Sequence, residues 1–376
     1  MTATVLAGIA ESNASLFRRL QVPLGDPGAW IEIRDKKIAL VRDLEMDRVR
    51  ANSSADLVTC PAEHPPAGGL SADRETATAQ AVAQFLIDAG VRDVQGDRSL
   101  PYIFAWHLQK AGLTVKYNDQ LGVLDRRSKS DEEIEKLTRA QSVTEDVMRQ
   151  ICETIANSSA AADGTLQHDG DTLTSQRVKS MAAIGFLQRG FTMGHGAIVA
   201  TAPHVADCHH SGTGPLVTGV PVVVDLFPRD ESSRYWGDCT RTVVHGQPND
   251  IVKKMHAAVL AAKAASTARL TAGTLAGDVH QAGEDVLIQA GYPVSRGEIT
   301  DEPSIQHGTG HGIGLDLHEP ILLDHGGGAV LEGEVFTVEP GLYGRSCGGV
   351  RIEDMLVVTR GEPSNLNQLP DGLTWT

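Results

Sequence analysis

The sequence predicts an α+β chain in two parts, a smaller α/β segment over residues 1–125 and a larger α+β segment over 126–376. Three observations carry this reading. Strand-like and helix-like patterns alternate through the first part, the order expected of an α/β layer. Arg126-Arg127-Ser128-Lys129-Ser130 then forms a polar junction. Beyond it, long helical patterns and short apolar runs follow, ending in a strand-rich tail. At about 100–200 residues per domain, 376 residues suit two or three domains.

In the first part, Trp30-Ile31-Glu32-Ile33 and Ile38-Ala39-Leu40-Val41 flank Asp35-Lys36-Lys37, the signature of a hairpin. Pro61 to Gly69 reads as a loop. Ser71 to Ala89 has a helical pattern closed by Gly90, and Leu100 to Ala111 another closed by Gly112. Val91 to Val94 and Leu113 to Lys116 follow these helices as strands. In the second part, Ser130 with Glu133 three residues on has capping-box spacing and opens a long helix to about Asn157. Helices are expected over Leu173–Arg189, Ile251–Leu270 and Leu275–Ala290, and strands over Pro221–Leu226, Val335–Val338 and Val350–Val358.

A net charge of −15 repels phosphate backbones and argues against a nucleic-acid partner. No stretch approaches about 18 uninterrupted apolar residues, so no membrane span is expected. Met1 to Phe17 lacks the basic start and apolar run of a signal peptide. Five cysteines with no C-x-x-C pair argue against a disulfide framework or thiolate zinc site, and fit reduced thiols in a cytoplasmic protein.

Five segments place metal-ligand side chains at strand ends or inside strands. Asp225 closes Val222-Val223-Val224, and Asp238 opens Cys239-Thr240-Arg241-Thr242. His311 lies within His307-Gly308-Thr309-Gly310-His311-Gly312-Ile313-Gly314. Glu339 ends Val335-Phe336-Thr337-Val338, and Glu353 sits inside the apolar run Val350–Val358. Strand alternation puts Arg351, Glu353 and Met355 on one face of that run. A buried carboxylate there needs a cation or several donors, either Arg351 or a metal. The alternate glycines make a helix at 307–314 unfavourable, so the two histidines are not a helical zinc-protease pair. His204, His209 and His210 cluster near Cys208, either as a separate metal site or as a polar loop with one functional histidine.

These positions occur in order within D-x12-D-C-T-R-T, H-G-T-G-H-G-I-G-L-D-L-H-E-P, V-E-P-G-L-Y and R-I-E-D. The set resembles the pita-bread metallopeptidases: aminopeptidase P, prolidase and methionine aminopeptidase. The resemblance covers roughly Arg127 to Arg360. It implies a C-terminal pita-bread catalytic domain, with Asp225, Asp238, His311, Glu339 and Glu353 as ligands of two divalent metal ions. The oxygen-rich set suits Mn²⁺, with Co²⁺, Zn²⁺ or Fe²⁺ compatible. Without cations, each close carboxylate pair would repel by about 4 kcal/mol at 4 Å and an effective dielectric near 20.

The resemblance further implies substrate contacts at His209, His307 and His318, and proton transfer by Glu339. Arg351 is expected to orient Asp238 or Glu353, or to bind a substrate carboxylate. Segment 1–125 is similar in size and element order to the α/β domain that precedes the catalytic domain in aminopeptidase P, prolidase and creatinase. Together these imply a peptide substrate cut at an Xaa-Pro bond, and a homodimer. The alternatives are a non-catalytic binding protein of the same fold and a creatinase-like amidinohydrolase. One departure is the thirteen-position spacing of Asp225 and Asp238, with Leu226-Phe227-Pro228-Arg229 where the family more often has a small glycine turn. It predicts a longer hairpin beside the site and bears on substrate preference.

Overall fold

A computed structural model describes residues 1–375. The chain divides into two compact units, Met1–Arg126 and Arg127–Thr376. The first holds a six-stranded mixed sheet in the order Leu57–Thr59, Lys36–Leu40, Pro27–Ile33, Thr2–Ile9, Asp93–Gly96, Thr114–Tyr117. The expected hairpin forms, with Ile33 paired to Lys36 across Arg34 and Asp35. Arg34 takes the left-handed φ of 55° that so tight a turn demands. The helices Arg74–Asp88 and Tyr102–Lys110 pack Val82, Leu86, Phe104 and Leu108 against Val5, Ile31 and Val94 of the sheet.

The sequence reading missed the central strand, Thr2–Ile9, and the helix Ala14–Leu20 after it. That strand has neighbours on both edges and is buried almost throughout, so its residues show no apolar–polar alternation.

In the second unit the capping box at Ser130 is present with both of its hydrogen bonds, and its helix runs Asp131–Ala156. This helix lays Val147, Met148, Ile151 and Ile155 on Val222, Val224, Leu226 and Val243. Those residues belong to a three-stranded antiparallel sheet of Ala197–Ala200, Pro221–Leu226 and Cys239–Val244. A second sheet joins Glu319–Leu323, Gly310–Gly312, Val335–Val338, Asp354–Val357 and Ser364–Asn365. The helices Asp250–Arg269 and Ala276–Gln289 pack closely at Gly283, where an added Cβ would lie 2.3 Å from Ser266 Oγ.

Val350–Val358 is not one strand. It breaks at Ile352-Glu353 into Gly348–Arg351, paired with Gly341–Gly344, and Asp354–Val357, paired with Val335–Val338. The expected single face shared by Arg351, Glu353 and Met355 therefore does not exist. The backbone N–H of Glu353 is taken by the carbonyl of Thr240 in the other sheet. The hairpin between Asp225 and Asp238 is paired beyond the strands themselves: Leu226 pairs with Cys239, and Arg229 pairs with Trp236 in continuing register.

Candidate metal and catalytic site

The break at Ile352-Glu353 is what builds the site, because it delivers Glu353 to the edge where the two sheets meet. Asp225 lies in a fully buried strand opposite Thr240. Asp238 is fixed from both sides by Gln141 of the long helix, which donates to the Asp238 carbonyl at 2.7 Å and accepts its N–H at 2.9 Å. His311 rides on Gly310–Gly312, pressed so close to the neighbouring strand that a Cβ on Gly310 would lie 1.9 Å from the Thr337 carbonyl oxygen. Only glycine permits that approach. Glu339 follows its strand and donates its N–H to Thr309, tying it to the same segment.

These residues converge. Ligand atoms of Asp238, His311 and Glu353 all lie within 4.8 Å of one another. His311 Nε2 stands 3.6 Å from Asp238 Oδ2 and 3.6 Å from Glu339 Oε1. Asp225 joins through Arg351, whose Nη2 donates to Asp225 Oδ2 at 2.6 Å and whose Nε lies 3.9 Å from Glu339 Oε2. Arg351 thus pairs with Asp225 and not with Asp238 or Glu353, contrary to expectation. Its remaining donors reach Tyr343 Oη at 2.9 Å, the Cys208 carbonyl at 3.3 Å and Thr240 Oγ1 at 3.2 Å. With its donors so engaged and its side chain 4% exposed, it is spent internally and is poorly placed to bind a substrate carboxylate. Thr240 Oγ1 in turn donates to Glu353 Oε2 at 2.7 Å.

The electrostatics are those of carboxylates short of positive charge. Burial, then repulsion from Glu353, Asp225 and Glu339, pushes Asp238 far above the usual carboxylate range. Burial, then Glu339 and Asp225, does the same to Glu353. Burial carries Glu339 up to about 7 against the pull of Arg351. Burial also drives His311 down to about 3, leaving its imidazole neutral with a lone pair available. The Oδ1 of Asp225 is buried with no hydrogen-bond partner. One arginine cannot balance four carboxylates here, and buried charge must be paired. The donor chemistry of these five residues, hard oxygens with one imidazole, therefore fits divalent cations.

The three expected histidines fall around this cluster in different settings. His318 is exposed on one side and meets the His311 ring edge-on at 4.3 Å. His307 is enclosed, with Nε2 2.7 Å from Tyr343 Oη and a pKa driven to about 3 by burial and then by Arg351. His209 is exposed beside Cys208, with Nδ1 3.7 Å from that sulfur. His204 and His210 stack on each other at 4.5 Å.

Sequence reasoning missed several supports. Lys129 and Glu319 form a buried pair at 2.9 Å, and Glu319 Oε1 accepts the Leu315 N–H, bracing the loop that carries His318. Trp236, at the extended hairpin, donates from its backbone to Gly314 and from its indole to Leu315. His195 lies over Trp236 at 5.1 Å. The only early signal for these was the unusual spacing of Asp225 and Asp238.

Residues 135–360 match the profile of metallopeptidase family M24. The chain belongs to this family. Among its relatives, the probable dipeptidase PepE of Mycobacterium tuberculosis is 30% identical over 267 residues, 68% of this chain and 65% of that protein. The Xaa-Pro dipeptidase of Pyrococcus horikoshii is 33% identical over 148 residues, 39% of each chain. In fold, the chain is similar to an Xaa-Pro dipeptidase from Bacillus anthracis, with a TM-score of 0.80, 22% identity, and coverage of 99% of this chain and 94% of that one. An X-Pro aminopeptidase from Thermotoga maritima gives a TM-score of 0.80 at 20% identity, covering 100% and 97%. The pita-bread architecture of the second unit follows from these matches. Among the described residues no helix is long and apolar enough to cross a membrane.

Proposed function

We propose that the chain is a dinuclear metallopeptidase that hydrolyses the bond between an N-terminal residue and proline. Asp225, Asp238, His311, Glu339 and Glu353 are the proposed ligands, and the observation that carries the proposal is the meeting of Asp238, His311 and Glu353 within 4.8 Å. When bound, a pair of divalent ions supplies an activated water and a Lewis acid for the scissile carbonyl. Glu339, at the edge of the ligand set with Oε1 3.6 Å from His311 Nε2, takes a proton from the attacking water and returns it to the leaving nitrogen. His318 donates to the carbonyl oxygen as negative charge develops there. His209 lines the open side, and His307, held by Tyr343, shapes the wall against the residue after the cut. Arg351 acts by positioning, holding Asp225, while Thr240 links it to Glu353.

The hard donor set favours Mn²⁺ as the native metal. All five cysteines are buried and free, which supports a reducing, cytoplasmic setting. The relatives named dipeptidases support short substrates, and the family resemblance extends the proposal to a homodimer. The test is to reconstitute the full chain with Mn²⁺ and follow Gly-Pro, Gly-Pro-Ala and Met-Ala-Ser. Cleavage of the proline peptides after glycine is expected, and their rate ratio sorts dipeptidase from aminopeptidase. Cleavage of Met-Ala-Ser alone, or of none of the three, overturns the proposal.

A further inference from the structure

A second group of metal-ligand side chains lies apart from the proposed catalytic set. His280 and Glu284 are four apart on the helix Ala276–Gln289 and share one buried face. Asp324 and His325 reach them from the turn after Glu319–Leu323. His280 Nε2 is 3.4 Å from Glu284 Oε1 and 3.6 Å from Asp324 Oδ1, and His325 Nε2 is 3.4 Å from Glu284 Oε2. Ligand atoms of His280, Glu284 and His325 all lie within 4.8 Å of one another.

The hydrogen bonds of His280 define its tautomer. Arg296 Nη2 contacts Nε2 at 2.8 Å, and a guanidinium can only donate, so Nε2 carries the lone pair. The ring proton is then on Nδ1, donated to Thr309 Oγ1 at 2.9 Å. A histidine whose far nitrogen is fixed by a hydroxyl, with its near lone pair aimed between carboxylates, has the arrangement of a metal ligand. Arg296 fills the place of the cation, bridging His280 and both oxygens of Asp324. Its side chain is 35% exposed, so it can turn out to solvent, whereas His280 is 2% exposed and fixed.

We propose that His280, Glu284, Asp324 and His325 form a second cation site, of Zn²⁺ type, which fills when Arg296 swings away. Two imidazoles and two carboxylates suit tetrahedral Zn²⁺, whereas the proposed catalytic set has four carboxylates to one imidazole. The site is joined to the catalytic strand at Thr309, whose carbonyl holds the Glu339 N–H.

The test uses the full chain, stripped of metal and titrated with Zn²⁺ against a competing chelator, with Co²⁺ absorption as a second readout. Wild type is expected to bind one more Zn²⁺ per chain than His325→Ala, a change at a 53% exposed side chain that leaves the fold intact. Arg296→Ala should tighten that extra ion by roughly tenfold, and Glu284→Gln should weaken it by at least roughly tenfold. Equal Zn²⁺ stoichiometry in wild type and His325→Ala overturns the proposal, as does an Arg296→Ala protein that binds no more tightly. Both readouts are independent of peptidase activity, so the proposed function can fail while this site stands.

Discussion

Glu353 and Asp354 are neighbours in the chain, both buried, and their surroundings treat them in opposite ways. Asp354 faces Arg241 at 2.9 Å and Lys263 at 2.8 Å, with Asn365 donating at 3.0 Å. Burial alone would raise its pKa, but Arg241 and Lys263 hold it below the usual range. Glu353 faces other carboxylates and is pushed far above that range. A structural carboxylate brings its cations with it in the sequence. A ligand carboxylate is left in deficit, and the deficit marks where an external cation belongs.

The largest effect that can break this contrast comes from Glu353→Gln. Peptidase turnover should fall below detection and bound metal should drop, while the chelated variant should melt higher than chelated wild type because a strained carboxylate is gone. Near-normal turnover would remove Glu353 from the ligand set. Glu339→Gln should lower kcat by about 10²–10⁴-fold, read by steady-state kinetics on Gly-Pro. Asp354→Ala leaves the buried Arg241 and Lys263 with Asp371 as their one remaining carboxylate partner among the described residues, and should cost about 1–3 kcal/mol in urea unfolding while the folded fraction keeps its turnover. If Asp354→Ala instead lost metal with unchanged stability, the two carboxylates would have to exchange roles.

A smaller effect concerns pH. His307 and His311, held near 3 against an ordinary 6.5, lose stabilisation only as pH falls below 6.5. Glu339, held near 7 against 4.5, acts oppositely: the folded state keeps a proton the unfolded chain has released, so stability falls as pH rises through about 7. Glu339 loses its share between pH 4.5 and about 7, against the two histidines below 6.5, so chelated protein should melt lower as pH rises from 6.5 to 7, by at most roughly 1.4 kcal/mol per proton and pH unit, with no further slope from Glu339 above that. Saturating Mn²⁺ should flatten that slope, and a slope that persists with metal would point to groups outside the site.

The ligand positions were legible because each sits in its own short word, at a strand end or inside an apolar run, and the words in that order resemble the pita-bread metallopeptidases. The capping box at Ser130 was legible from its local spacing. The partition between Glu353 and Asp354 was not. The run from Val350 to Val358 is apolar on both sides of the acids, and periodicity does not show where a strand leaves one sheet for another. The cations that claim Asp354 lie 113 and 91 residues away, at Arg241 and Lys263. The partner of Arg351 was misjudged through that same break, since an unbroken strand would have placed it beside Glu353. Likewise, His280 and Glu284 have a visible helical spacing, but the turn that brings Asp324 and His325 to them is a tertiary fact.

Thr240 carries a single hydroxyl proton. Committed to Glu353, it leaves only lone pairs for Arg351, so the direction of the whole chain from guanidinium to carboxylate is set by one rotor. A serine could keep that polarity. A valine of nearly the same shape would cut the wire and leave a guanidinium and a carboxyl group on either side of a methyl group.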